Sequence, residues 1–413
     1  MNRATNLSSL TALLAAVAGT LAAAPAPAQA DAQPATITVD STADAIDADA
    51  SDGLCRTSAG TCTLRAAVMT ANGRPGSTIE LPAGRYRLSI PPDPRYLNTR
   101  TADPTTGDLN VTAPTTFRGA GARETVIDAD HVDRVFRMGA DTTLSDLTVT
   151  GGEAKQREVR FTDPGGGGIA NGKNMTLRRV AVTGNTAGYG GGIFNIPDSH
   201  LTLIESTVSD NTAGEAGGIR FDDSATVLNS TIADNHVTDD WDRPGSLSGY
   251  GGGIDIRGTG LVDIRNSTIT GNTSTDGGGG INIAPAYLDS LPSSVTDVVD
   301  APLGHLVLQN TIIAANTVGR ASGDCKKAFA AIESLGGNLD SGDSCGLTAA
   351  GDLPRRAPRL GPLADHGGPT DTVALLPDSP ARDAASDCPS TDQRGVTRPQ
   401  GPGCDIGAFE YQP

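Results

Sequence analysis

Apolar and polar positions recur in a fixed order from about Leu144 to Asn316. Aligned on Gly152, Asn185, Asn211, Asn235, Asn272 and Asn316, the chain carries Leu144, Leu177, Leu203, Val227, Ile264 and Leu308 eight residues earlier. Three residues before each anchor stand Val149, Val182, Val208, Ile232, Ile269 and Ile313. A Gly-Gly-Ile triplet ends at Ile169, Ile193, Ile219, Ile254 and Ile281. The least interrupted steps are 26 residues (Asn185 to Asn211) and 24 residues (Asn211 to Asn235). A constant period of this length marks a solenoid.

Residue type decides which solenoid. Runs such as Leu-Thr-Leu, Ser-Thr-Val and Gly-Ile-Phe alternate and are rich in β-branched residues, with Gly, Asn and Asp between them. They predict strands of a few residues joined by tight turns, not helix pairs. A leucine-rich repeat would need Leu at several fixed offsets, where Val, Ile, Ser and Thr stand instead. The pattern therefore predicts an all-β parallel β-helix, each coil rising by one strand spacing of ~4.8 Å. At the anchor, Asn side chains of successive coils are expected to exchange amide hydrogen bonds along the axis. Asn229, Asn266 and Asn310 form a second row six residues upstream.

Composition narrows the picture. Aromatics make up only 3%, which suits a narrow core of Val, Ile and Leu. The 52 Gly and 26 Pro fit a chain that turns every few residues. Of 48 acidic residues only 8 are Glu, so the acidity belongs to turns. A net charge of −17 argues against nucleic acid or anionic membranes as partners. A polyanionic glycan would need calcium or a local basic groove.

The N-terminus reads as an export signal over residues 1–30: Arg3, an apolar run from Leu10 to Ala24, and Ala28-Gln29-Ala30 before Asp31. Pro25 and Pro27 interrupt the run and speak against an anchor helix, and no later segment is apolar enough to span a bilayer. The mature chain is expected to be a monomer, secreted to the extracellular space or cell surface. Six cysteines suit that oxidising destination. Their grouping favours sequential pairing: Cys55 with Cys62, Cys325 with Cys345, and Cys388 with Cys404. The rival, a zinc site, lacks any Cys-x-x-Cys pair.

A solenoid needs its ends covered. Leu64, Ala67, Val68 and Ala71 fall on one face of a predicted short helix over 62–72, which ends at Asn72-Gly73. Residues 31–77 are thus expected to form an N-terminal cap, 78–345 the coils, and 346–413 a C-terminal cap. Within the first cap, Asp44, Asp47, Asp49 and Asp52 are candidate calcium ligands. Their spacing matches no defined loop, so a solvated Asp-rich turn is the alternative.

The block TADAIDADASDGLCRTSAGTCTLRAAVMTANG resembles the CSLREA domain, whose motif appears here as Cys62-Thr63-Leu64-Arg65-Ala66-Ala67. Of the Glu-Ala that ends the family motif, Ala66 departs from the Glu and Ala67 keeps the Ala. The segments STIELPAGRYRL, DLNVTAPTTFRGAGARETVIDA and DRVFRM resemble the first coils of pectate-lyase-like right-handed β-helix proteins. The tail SPARDAASDCPSTDQRGVTRPQGPGCDIGAFEY is similar to the choice-of-anchor Q domain. The Gly-Gly-Ile units also resemble the repeats of polymorphic outer-membrane proteins. These resemblances imply a right-handed β-helix and an exported, often surface-associated bacterial protein of mostly unassigned activity.

Function is sought where the repeat is interrupted. Insertions at 151–164 and 236–249 fall between the Asn anchor and the Gly-Gly-Ile strand, and a third, 284–304, follows that strand. The second carries Trp241 among Asp239, Asp240 and Asp242, a candidate sugar-stacking group; the alternative is a ring that tacks its own loop to the coils. If the Ile of each triplet points inward, then Ala170, Phe194, Arg220, Asp255 and Asn282 form an outward row. Arg220, Asp222, Asp223 and Asp255 are the candidate catalytic set, with Arg257 nearby. Glycoside hydrolysis needs two carboxylates, and lyase chemistry a base plus charge neutralisation by Arg or calcium. The Asn-Thr-Asp and Gly-His-Gly motifs of β-helix polygalacturonases do not occur. The reading adopted is a non-catalytic exported β-helix used for adhesion, glycan binding or envelope structure. The alternative is a polysaccharide lyase or glycoside hydrolase acting along a groove.

Overall fold

Alternation of an apolar residue with Ser, Thr or Asn lets each short run bury one face, and the only way to bury many such faces at once is to stack them. The computed structural model describes residues 34–93, 103–154, 165–238, 249–284, 304–327, 330 and 332–413. They belong to one compact unit, Gln33–Pro413. The export signal expected over residues 1–30 lies outside the described residues, as does most of each of the three insertions.

One coil shows the plan. Its strands are Ile193–Asn195, His200–Ile204, Thr207–Ser209 and Thr212–Glu215. Each pairs in parallel with its counterpart in the next coil: Ile219–Phe221, Ser224–Leu228, Thr231–Ala233 and His236–Val237. Leu203 faces Val227, Val208 faces Ile232 and Ile193 faces Ile219, all fully buried. The chain turns between strands at Asp198, Glu205, Asp210 and Ala216, whose φ values are 63°, 51°, 54° and 56°. The architecture is an all-β, right-handed parallel β-helix.

The anchor asparagines form the expected ladder. Nδ2 of Asn185 donates to Oδ1 of Asn211 at 3.0 Å, and the same bond joins Asn211 to Asn235, Asn235 to Asn272 and Asn272 to Asn316 at 2.9 Å each. Each Oδ1 also accepts the backbone N–H of the preceding anchor, as Asn272 does from Asn235. Each Nδ2 also donates to a strand carbonyl one coil back, such as Val208 for Asn235. Each amide is therefore both donor and acceptor, and the row has a direction. It begins at the backbone N–H of Gly152 and ends on Asp324, whose Oδ1 accepts from Asn316 at 2.9 Å. A carboxylate fits only there, where acceptors alone are wanted.

Beside the ladder run the paired glycines. A Cβ on Gly218 would lie 2.5 Å from the Gly253 carbonyl and 3.0 Å from the Asn235 amide. The Gly-Gly of each unit is thus the space through which the ladder passes.

Asn229, Asn266 and Asn310 behave differently from the expected second ladder. They share a column with Asp146, Arg179 and Glu205, and all six hold positive φ between 47° and 59°. The column is a left-handed bend, which Asn tolerates well, and not an amide ladder. The second ladder sits one residue on and is made of serines. The backbone N–H groups of Val180, Ser206 and Ser230 donate to Oγ of Ser206, Ser230 and Ser267.

At the N-terminal end the helix Leu64–Asn72 buries Leu64, Ala67, Val68 and Ala71 on the core, with Thr63 Oγ1 accepting from the Ala66 N–H as its cap. Gly73 follows with φ −85°, a right-handed close. Thr36–Thr38, inside the segment expected to be the cap, already pairs with Ser77–Leu81 as a rung. At the other end Leu353–Pro354, beyond the expected last coil, pairs with Leu339–Asp340. The remainder of the C-terminal segment does more than cover an end: it runs back along the flank. Asp371 O accepts from Thr207, Gln393 bonds Thr207 and Thr231, and Ala408 N–H donates to Thr268. Asn229 and Asn310 turn their amides out to the carbonyls of Thr391 and Ser386. Ile312, Leu339, Leu375, Ala381, Ile406 and Phe409 form the apolar seam. The three disulfides are Cys55–Cys62, Cys325–Cys345 and Cys388–Cys404, the sequential pairing expected.

Two outcomes follow from the ladder. Asn235→Leu leaves the Asn211 N–H without its acceptor in a dry interior and takes the amide donor from the Val208 carbonyl, and should cost about 2–3 kcal/mol. Urea denaturation of the variant checks this, and a loss below ~1 kcal/mol would show the ladder to be dispensable. At its end, the Asp340 carboxyl is pushed from 3.8 up to about 6, by burial first and then by the charge of Asp324, against the N–H donors of Cys345 and Gly342. The folded chain holds that proton more tightly than the unfolded chain. The stabilisation is therefore complete below pH ~4 and lost as pH rises through ~6, on the order of 2–3 kcal/mol. Melting curves across that window should show the wild type losing this stability and Asp340→Asn retaining it.

Candidate functional site

The strands that begin at the Ile of each Gly-Gly-Ile place a continuous column on the outside of the coils. Registers link Asn110, Arg137, Ala170, Phe194, Arg220, Asp255, Asn282 and Lys326 in that order. The inward neighbours Ile193, Ile219, Ile254 and Ile281 are fully buried, so the expected outward row is correctly phased. A second column, two residues on, holds Asp222 and Arg257, where the Arg257 N–H reaches the Phe221 carbonyl.

Charge alternates across these two columns. Arg220 holds Asp222 within its own coil, Nε to Oδ1 at 2.8 Å. In the next coil the order is reversed, and Arg257 Nε holds Asp255 Oδ2 at 2.7 Å. Arg220 thus lies against Asp255 and Asp222 against Arg257 across one rung, a checkerboard of opposite charges. Glu215, at the corner before the strand, reaches Arg220 at 2.8 Å and Arg257 at 3.9 Å. Asn282 Nδ2 donates to Asp255 Oδ1 at 2.7 Å. Aromatic rings back the guanidiniums: Arg220 lies 4.9 Å from the Tyr189 ring centre and 5.4 Å from that of Phe194, and Arg257 lies 5.1 Å from that of Tyr250.

Among the described residues three carboxylates meet two guanidiniums in this cluster. Burial works against the Arg220 charge, but Asp222, Asp255 and Glu215 outweigh it and raise the group above its usual value. Burial likewise dominates at Asp222, and with Asp255 nearby it lifts that carboxyl above the ordinary range despite Arg220. Burial is thus the larger cause at Asp222, while the neighbouring carboxylates prevail over burial at Arg220.

Arg220, Asp222 and Asp255 are therefore brought together, with Arg257 completing the array. Asp223 is not part of it: its two oxygens accept the N–H groups of Ser224 and Asp198 in a turn. Glu215, Tyr189 and Tyr250 were not anticipated. Each stands four residues before the Ile of its Gly-Gly-Ile unit, an offset visible in the repeat. Asp239, Asp240, Trp241 and Asp242 lie outside the described residues.

The Asp-rich segment at the N-terminus does not converge on a calcium site. Asp44 is bound to the buried Arg65 at 2.6 Å and accepts the N–H groups of Ser89 and Ile90. Asp47 accepts from Thr70, while Asp49 and Asp52 close turns on Ser51 and Leu54. These carboxylates serve the cap instead. Among the described residues no cluster of three or more His, Cys, Asp or Glu side chains is placed to hold a metal, and no helix is long and apolar enough to cross a membrane.

No family model matches the chain, and no curated protein matches it. Among solved structures it is similar to the one described as "Crystal structure of pectate lyase Pel9A", with 16% identity over 92% of this chain and 97% of that one and a TM-score of 0.42. The coiled architecture itself rests on the strand registers given above.

If the checkerboard is built into the fold, Asp255→Ala strands a buried guanidinium and should destabilise the chain by about 3–5 kcal/mol, while Asp223→Ala should cost less than ~1 kcal/mol. Equal melting temperatures for the two variants would contradict this assignment.

Proposed function

We propose that this is an exported, non-catalytic β-helix protein that binds glycan on the face carrying Arg220, Asp222 and Tyr250. The observation that carries the reading is the commitment of Asp255. It is fully buried, with one oxygen held by Arg257 and the other by Asn282. A general base or nucleophile needs a lone pair facing its substrate. Without Asp255 the pair of carboxylates required for glycoside hydrolysis would have to come from Asp222 and Glu215, and both of these are held by Arg220. Lyase chemistry meets the same difficulty, because Arg220 is already engaged by Glu215 and Asp222. What remains fits recognition: rings and paired polar groups on a rigid surface, with the Trp241 loop entering the sequence just before Tyr250. Three disulfides suit an extracellular or cell-surface setting.

One observation favours the other reading. Asp222 lies beside a second carboxylate and holds its proton more tightly than an ordinary carboxyl, the arrangement from which a general acid is made. The two readings separate in one experiment. The purified protein is incubated with neutral and acidic polysaccharides, with and without calcium, and assayed for reducing ends and unsaturated-uronate absorbance. The expected result is retention on at least one polymer with no product. Product that disappears in Asp222→Asn would make the protein an enzyme.

A further inference from the structure

The C-terminal segment meets the coils in two different ways. An outward column runs Thr207, Thr231, Thr268, Ile312 and Leu339 along the axis. At its far end the contact is apolar: Leu375, Ala381, Ile406 and Phe409 cluster with Ile312, Ala314 and Leu339. Val373 and Ala408 are buried outside that cluster. Over the earlier rungs the segment is held by polar bonds. Thr207 Oγ1 donates to the Asp371 carbonyl at 2.6 Å, and the Gln393 amide accepts from Thr231 at 2.7 Å while donating to Thr207 at 2.9 Å. Asn229 donates to the Thr391 carbonyl, and Thr370 to the Glu205 carbonyl. Three rungs before Thr207, Arg123 donates to the Gly368 carbonyl and to Asp371. We infer that residues 365–373 and 389–396 form a lid, latched to the coils by these polar bonds and hinged on the apolar seam, which lifts as one body while the coils stay folded.

The two legs of the lid hold each other. Gln393 donates to Thr370 Oγ1 and to the Asp371 carbonyl, so one side chain joins both legs as well as the coils. The second leg is tied to the strand that leads into the seam: Gln393 N–H donates to the Ala408 carbonyl, Glu410 N–H donates to Asp392, and Cys388 is bonded to Cys404. The cost of opening differs along the segment. At the latch, groups that part from one another pass to water, and each hydrogen bond lost costs only its modest net value. The Arg123 pairs with Asp365 and Asp371 lie at the surface and add little. At the seam, parting would expose Leu375, Ile406 and Phe409, at a cost that grows with apolar area. Local opening follows such differences, so the latch end yields first. Opening bares the hydroxyls of Thr207 and Thr231 and the Asn229 amide on adjacent coils, all buried while the lid is closed.

The test is hydrogen exchange of the intact protein, read by mass spectrometry on peptides from the two legs, the seam and the coils. The expected result is that 365–373 and 389–396 exchange together, about tenfold or more faster than 375–381 and 404–410. Gln393→Ala removes the amide shared by Thr207, Thr231 and Thr370. It should speed exchange in both legs by a further factor of about ten and leave the seam, the coils and the melting temperature unchanged. Arg123→Ala should act on the same two legs by about fivefold or less. Leu375→Ala, at the hinge, should speed exchange in the seam as well. Legs that exchange no faster than the seam would overturn the inference, and so would a Gln393→Ala effect of equal size on legs, seam and coils. Should Gln393→Ala fail to fold, Arg123→Ala decides: faster exchange in the first leg alone would refute a lid that moves as one body.

Discussion

The fold depends on a buried row of amides that satisfies itself. A coil of about two dozen residues cannot hide its backbone at a tight turn without leaving polar groups dry. The anchor asparagines answer this by taking the strand carbonyl of one coil and the N–H of another into a single bonded file. Everything near the file is shaped by it. The glycines beside it have no side chain because the amide occupies that volume. The residue before it is often Gly or Asp, since the chain must bend left-handed there, at Gly184, Asp210, Asp234 and Gly271. Even the departure at Gly152 has a cause: a Cβ there would lie 1.9 Å from the Gly167 carbonyl. The file also needs a terminus, and a carboxylate at Asp324 supplies one.

Legibility followed how each contact is encoded. The coil phase, the capping helix and the disulfide pairs were readable because they depend on repeated offsets or near neighbours in sequence. Leu203 lies over Val227 for the same reason that Asn211 lies over Asn235. The serine ladder was equally periodic and still escaped notice, because Asn229, Asn266 and Asn310 drew attention to the position before it. Those asparagines share a backbone conformation with Arg179 and Glu205, and φ is invisible when the residue type varies. The return of the C-terminal segment was not readable. Gln393 meets Thr207 across 186 residues through single hydrogen bonds, with no pattern to announce them.

The candidate site shows a related limit. Strand alternation correctly brought Arg220, Asp222 and Asp255 to one surface, but proximity did not make them reactive. Asp255 belongs to the outward row and is nonetheless fully buried, and burial changes what such groups do. A carboxylate in water is free to act as a base; one placed dry must be paired or protonated. Stacking Arg-x-Asp directly over Asp-x-Arg is an economical solution, since each charge finds opposite neighbours both within its coil and across the rung.

That solution also explains why the polar residues at the two ends resemble site residues without acting as such. Arg65 is completely buried, yet its donors go to Asp44 and to the carbonyls of Pro104 and Gly107, tying the capping helix to the first coils. In the tail Arg398 meets Glu410 and the carbonyls of Asp405 and Gly407, and Arg394 meets Asp392. Burial lowers the pKa of Arg398 and raises those of Asp405 and Glu410, the direction expected when scaffold charges are desolvated. A protein with so few aromatic and large apolar residues fixes its ends by polar geometry where others use a larger core. In such a chain buried charge alone is poor grounds for inferring chemistry. The face of Arg220 and Tyr250 differs in that its charges are joined by two partly exposed rings, Tyr189 and Tyr250, two rungs apart.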